Sequence, residues 1–242
     1  MVLSGIYAHP DDETFSAGGT YAKYAAAGAR CTIFCATDGD AGKTSGLNVG
    51  SKRELGALRR KELEAAARIL GIQRVESLGH PDGGLAAVNQ DELIGQIVDH
   101  LRRERPLVVI GFGPEGAPNS HKDHKVTSRA TTAAFFLAGR ATAYPEQLRQ
   151  GMLPHSAARL FYVTWPDPKP GEALQTHGMP ATVKIDVRKF RDTELAAWRA
   201  HASQQALQQR FDETAATDDE LFALAAGVAQ PEPLIADFFA GL

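Results

Sequence analysis

Cysteine is scarce, with two residues in a chain of 242, too few for a disulfide framework. Cys31 and Cys35 lie four apart in a strand-like run, where alternate side chains share a face, and they read as reduced core thiols. An excess of positive charge is missing too. Lys and Arg total 26 against 29 Asp and Glu, a net charge of -3, and the basic residues are scattered except for short groups at 59–61 and 102–105 that read as solvated helix faces. That balance argues against a nucleic-acid partner. No run of about 18 or more apolar residues is present to span a bilayer, and no charged leader precedes an apolar core with a cleavage site, so a cytoplasmic location with no membrane partner is the default expectation. The glycine fingerprint of a dinucleotide site is absent, and Gly39 to Thr44 has too few residues between its glycines to cradle a phosphate, which disfavours a nucleotide cofactor.

What is present is the composition of an ordinary globular chain, 43% hydrophobic and 23% charged, with material for a sizeable core. One α/β domain is favoured over two: a core at 1–138, additional strands and a long helix at 139–211, and a helical tail at 212–242. Residues 2–8 are too few for a helix and rich in Val, Leu, Ile and Tyr, which predicts a buried strand stopped by Pro10. Helical periodicity follows at 17–29, 52–70, 90–103 and 125–138, alternating with strand-like runs at 30–37, 74–78 and 107–112. A strand is expected at 159–164, followed by a Pro-rich loop to Pro180 and a further strand at 182–187. A long helix is expected at 190–211 and two more at 218–226 and 231–239, the last docking two aromatics on the core or on another subunit. Whether the chain forms a homo-oligomer is left open.

Strands alternating with helices predict a Rossmann-like, mostly parallel sheet with helices on both faces, because β-α-β units cross over right-handed. In the strand order 3-2-1-4-5 the first and fourth strands are neighbours, and ligands bind beyond their carboxyl ends. Two chemical clusters fall there. His9-Pro10-Asp11-Asp12-Glu13 follows the first strand, and His121-Lys122-Asp123-His124 follows the fourth. Two imidazoles and a carboxylate with an open position are the ligand set of a catalytic zinc, which supplies hydroxide near neutral pH. His9, Asp12 and His124 are assigned as ligands. Adjacent acids cannot easily share one ion, so Asp11 is left as general base. His121, three residues before His124, is placed to donate to an oxyanion or protonate a leaving amine, with Asp123 fixing its tautomer. The same ligands accept iron, cobalt or nickel. His80, His100, His155 and His177 are given no metal role.

These motifs resemble the PIG-L or LmbE-like zinc-dependent de-N-acetylase family. The resemblance rests on Ala8 to Glu13, Thr37 to Gly42, Arg59-x-x-Glu62, Asp82-Gly83, His121-x-Asp123-His124 and His201-x-Ser203-Gln204, in order over most of residues 1–205. It implies hydrolysis of an acetamide on a small N-acetylglucosamine-type molecule, releasing acetate and an amine, with Arg59 and Asp82 holding sugar hydroxyls. His201 and Gln204 stay outside the catalytic set. One departure is Asn119, where some members carry a tyrosine. The competing readings are an amidase opening a larger amide such as a thiol conjugate, and a metal-free module binding a sugar or nucleotide.

Overall fold

The computed structural model describes residues 1–116, 120–165, 178–215 and 217–242. Seven strands share one sheet: β1 (Val2–Tyr7), β2 (Arg30–Thr37), β3 (Arg74–His80), β4 (Val108–Gly111), β5 (Arg159–Thr164), β6 (Val183–Asp186) and β7 (Asp219–Gly227). Their order is β3-β2-β1-β4-β5-β7-β6. The first five are parallel, and β7 runs antiparallel to both β5 and β6. Leu3 thus lies between Cys31 of β2 and Val108 of β4, and the carboxyl ends of β1 and β4 open side by side. The helices are α1 (Asp12–Ala26), α2 (Lys52–Leu70), α3 (Gln90–Glu104), α4 (Lys122–Leu137), α5 (Pro145–Arg149), α6 (Arg191–Ala200) and α7 (Gln208–Ala215). α1, α2 and α6 pack together, as do α3 and α4, and right-handed crossovers put the two groups on opposite faces. Among the described residues no helix is long and apolar enough to cross a membrane.

The centre of the sheet is tightly specified. A Cβ on Gly5 would lie 1.9 Å from the Tyr21 hydroxyl and 2.5 Å from the Tyr7 ring. Those two rings are buried and share a hydroxyl-to-hydroxyl bond of 2.9 Å. Gly5→Ala should therefore cost about 3 kcal/mol by overpacking, read as a lower urea midpoint with unchanged slope.

Three expectations for the C-terminal third are corrected. Residues 219–227 form strand β7 where a helix was expected at 218–226. Their helix-forming residues are overruled by the open edge of β5, whose unpaired backbone groups β7 satisfies. Residues 231–239 are not a helix either. Pro231 and Pro233 lack the N–H groups a helix needs, and Ile235 bridges to Val183. The tail aromatics dock on the core of this chain: Phe238 stacks on Tyr24 at 5.5 Å and on Phe161 at 4.6 Å. The long helix at 190–211 is broken into α6, a 3-10 turn at Ala202–Leu207, and α7. His201 causes the break by turning its ring inward to Glu13, and Glu62 then takes the Ser203 N–H at 2.8 Å.

At the N-terminal end, α1 starts five residues before the predicted helix and is interrupted at Ala17 (φ -157°). Acidic Asp12 and Glu13 suit its first turn. After the interruption, the N–H groups of Gly19 and Thr20 are taken by the Glu220 carboxylate at 2.8 and 3.0 Å. The basic groups are also not all solvated, since Arg59 and Arg102 are each 2% exposed. Arg102 ties down the loop before α5 through the carbonyls of Ala138, Arg140, Ala143 and Tyr144.

Candidate active site

The loop after β1 folds back on itself through Asp12, whose Oδ2 accepts the backbone N–H groups of Ala8 and His9 at 3.2 and 2.8 Å. Its Oδ1 faces His124 Nε2 at 3.2 Å. His9 Nδ1 stands 3.4 Å from Asp12 Oδ2 and 3.3 Å from His124 Nε2. On the β4 side, Phe112 holds the His124 ring in a parallel stack at 4.0 Å. A tetrahedral ion with bonds of about 2.0–2.1 Å has ligand-to-ligand edges of roughly 3.3–3.4 Å. His9 Nδ1 and His124 Nε2 are separated by that distance, and each stands at a similar distance from a different oxygen of Asp12, so the donor set of two imidazoles and a carboxylate suits a divalent metal ion. Nitrogens of His9, His121 and His124 also approach within 4.8 Å of one another, as do atoms of His9, Asp82 and Asp123.

The second group gathers on the other nitrogen of His9. Asp82 Oδ1 lies 3.0 Å and Asp123 Oδ2 3.4 Å from His9 Nε2, an arrangement that fixes the ring with Nδ1 turned to the metal face. Asp123 is in turn held by the N–H groups of Gly83 and Leu85. Its carboxylate therefore orients His9, whereas the spacing had suggested His121. The link to His121 is through the backbone: the Asp123 N–H donates to His121 Nδ1 at 3.2 Å, making His121 the N-cap of α4. The neutral His121 ring then carries its proton on Nε2. Asp82 is anchored by Ala41 and Asp40 from the loop after β2.

The electrostatics favour a cation at this point. Burial opposes charge on Asp12, but His124 and His9 overrule it and hold the carboxyl well below its usual range. Burial likewise opposes charge on His9, and Asp12, Asp123 and Asp82 outweigh it to raise the imidazole well above its ordinary value. Asp11 differs from its neighbour. Burial pushes its carboxyl up to about 6 against the pull of Arg59, whose Nη2 lies 3.2 Å from Asp11 Oδ2. His121 is lowered by burial and by the neighbouring His9 and His124, which keeps it neutral at pH 7.

These residues open into a cavity of about 490 Å³ lined by His9, Asp11, Arg59, Asp82, His121 and His124. Phe15, Lys43, Gln204, Leu207 and Arg210 also line it. The last three had read as faces of one long helix, and only the break at His201 brings them to the pocket. Asn119 and His177 lie outside the described residues. A larger cleft of about 760 Å³ lies against α3 and α5. It is acidic, with Glu76, Asp91, Glu92 and Asp99, and among the described residues no metal-binding group of the kind found at His9 lies there. Behind it, Ser4, His100 and Glu76 form a hydrogen-bonded chain of 2.8 and 2.9 Å that mimics a nucleophile relay. Ser4 and His100 are wholly buried, so no substrate reaches them.

The family model of the GlcNAc-PI de-N-acetylases, PIG-L, matches residues 5–135, which include the loops after β1 and β4. The chain belongs to the PIG-L family. Among its PIG-L relatives, a 1D-myo-inositol 2-acetamido-2-deoxy-alpha-D-glucopyranoside deacetylase of Rhodococcus erythropolis is 33% identical over 93% of this chain and 86% of that protein. Among solved structures, the conserved protein TT1542 from Thermus thermophilus is 29% identical, with a TM-score of 0.73 over 94% of this chain and 95% of that one. The N,N'-diacetylchitobiose deacetylase from Pyrococcus horikoshii shares the PIG-L fold, with a TM-score of 0.74 at 24% identity over 92% of this chain and 83% of that one.

Proposed function

We propose that this PIG-L protein is a zinc-dependent hydrolase that removes the acetyl group from an N-acetylglucosamine-type sugar or its conjugate, releasing acetate and a free amine. The observation that carries the proposal is the convergence of His9, Asp12 and His124, with pairwise donor distances of 3.2–3.4 Å, beside the half-buried carboxylate of Asp11, which is paired with Arg59. The Rhodococcus relative's acetamido-sugar substrate supports the substrate class.

His9, Asp12 and His124 would hold the zinc ion, which when bound would polarise the amide carbonyl and acidify water. Asp11 takes a proton from the attacking water. Its carboxyl, raised to about 6 by burial against Arg59, is a stronger base than an exposed aspartate and is still ionised at neutral pH. The water oxygen bonds to the acetyl carbon, and His121 donates its Nε2–H to the developing oxyanion. When the C–N bond breaks, the proton on Asp11 passes to the leaving nitrogen, and the second proton of the attacking water leaves on the acid product, which ionises, so the products are acetate, a free amine and one proton. A neutral His121 suits the oxyanion role better than that of acid. Arg59 and Asp82, at the pocket wall, are assigned to sugar hydroxyls alongside their internal contacts.

The test is metal analysis and acetate release on the same samples of the parent and of His124→Ala. The parent should carry about one zinc per chain, and the variant should lose metal and acetate release together. Metal without acetate release from N-acetylglucosamine or its glycosides would leave the centre and remove the reaction.

A further inference from the structure

Asp11 is held in a conformation it would not choose. Its φ of 105° is left-handed, it is not glycine, and at the N-cap of α1 its side chain makes no capping bond. Such a residue costs about 1–3 kcal/mol and persists only when its surroundings over-determine it. Those surroundings can be traced. The Asp11 N–H donates to Glu13 Oε2 at 3.0 Å, and the Asp11 carbonyl accepts from Phe15 N at 2.9 Å. Glu13 Oε1 is fixed by the Thr14 hydroxyl at 2.6 Å and by His201 Nε2 at 2.7 Å. Glu13 and His201 are both 0% exposed and do not line the cavity. His201 comes from the break between α6 and α7, 188 residues away in sequence from its partner.

We infer that Glu13 and His201 are positioning residues that aim the Asp11 carboxylate into the pocket by clamping its backbone N–H. This rests on the proposed role of Asp11 as base. A buried imidazole–carboxylate pair is a poor source of stability, because desolvation offsets most of its attraction. What the pair does supply is direction. With Glu13 immobile, the Asp11 N–H has one partner and the residue one φ, which sends the carboxylate to Arg59 and the metal face. Without His201, Glu13 is free to rotate and Asp11 can relax toward an ordinary φ. A misplacement of about 1 Å at a reacting group costs on the order of 10²-fold in rate.

The experiment compares the metal-loaded parent with His201→Ala, His201→Gln, Glu13→Gln and Asp11→Asn. Acetate release from N-acetylglucosamine glycosides gives kcat and KM, and zinc content and exchange of the Asp11 amide are read on the same proteins. His201→Ala should lower kcat by about 10- to 100-fold with KM within about 2-fold and zinc retained, and the Asp11 amide should lose protection. In His201→Gln the new side-chain amide nitrogen falls near the position of Nε2 and can donate to Glu13, so that variant should recover to within about 5-fold of the parent. In Glu13→Gln one of the acceptor oxygens becomes a donor, and kcat should fall with amide protection. The inference is overturned if His201→Ala keeps parental kcat, or if His201→Gln falls as far as His201→Ala. Should His201→Ala not fold, His201→Gln and Glu13→Gln decide, since parental amide protection in Glu13→Gln also overturns it. If Asp11→Asn keeps turnover, the base assignment fails; if Asp11→Asn is inactive and His201→Ala is not impaired, only the positioning role fails.

Discussion

Asp11→Asn should bind zinc as the parent does while acetate release falls by about 10²- to 10⁴-fold, the range general-base catalysis contributes. The substitution keeps shape and removes only the ionisable group. Asp12, His9 and His124 keep their contacts, because none of the short distances within the metal face involves Asp11. The same change should leave the protein at least as stable. Burial pushes the Asp11 carboxyl up to about 6, so the folded state works against its charge even with Arg59 beside it. An amide oxygen can still accept from Arg59 without that penalty. A parental or higher urea midpoint together with inactive enzyme would show the site holding its base at a cost in stability. Turnover near the parental rate would remove Asp11 from the mechanism.

Arg159→Met should be the most damaging substitution away from the site, at about 3–5 kcal/mol, or roughly 10 °C in melting temperature for a chain of this size. Arg159 is 0% exposed, and its guanidinium donates to the carbonyls of Val228, Ala229, Phe238 and Ala240 at 2.8–3.0 Å. Those carbonyls belong to a tail with no helix or strand of its own beyond Gly227, so methionine fills the space and leaves four acceptors unpaired. The tail should detach before the sheet melts. Limited proteolysis would then cut after residue 228 under conditions in which the parent is intact, with the zinc site unaffected. Equal melting and equal protease resistance would mean that Phe238 and Phe239 anchor the tail by packing alone.

Both residues illustrate what a chain shows before it folds. Asp11 was legible as a candidate, because two adjacent acids after a Pro-stopped strand stand at a sheet edge where ligands bind. Arg159 was not, since an arginine opening a strand reads as exposed, and its partners arrive 69 to 81 positions later. The helix expected at 218–226 failed for a similar reason. Its residues favour helix, but the choice belonged to an open edge of β5 that local propensity does not see. His201 and Gln204 carried a motif resemblance without a physical role, because the role depends on breaking a helix whose periodicity ran straight through them.

By itself the sequence determined the alternation of strands and helices through the first five strands, the neighbouring of β1 and β4, and the placing of the two His- and Asp-rich loops at one sheet edge. These follow from periodicity, crossover handedness and the chemistry of His and Asp, all of which act over short stretches of chain. Tertiary structure alone decided that Asp123 and Asp82 turn to His9, that Arg59 is buried against Asp11, and that Glu13 reaches His201. Each is a contact between side chains from different elements, and its length is set by packing within a few tenths of an ångström. Spacing along the chain records which groups can meet at a sheet edge; only the packed core fixes which atom faces which.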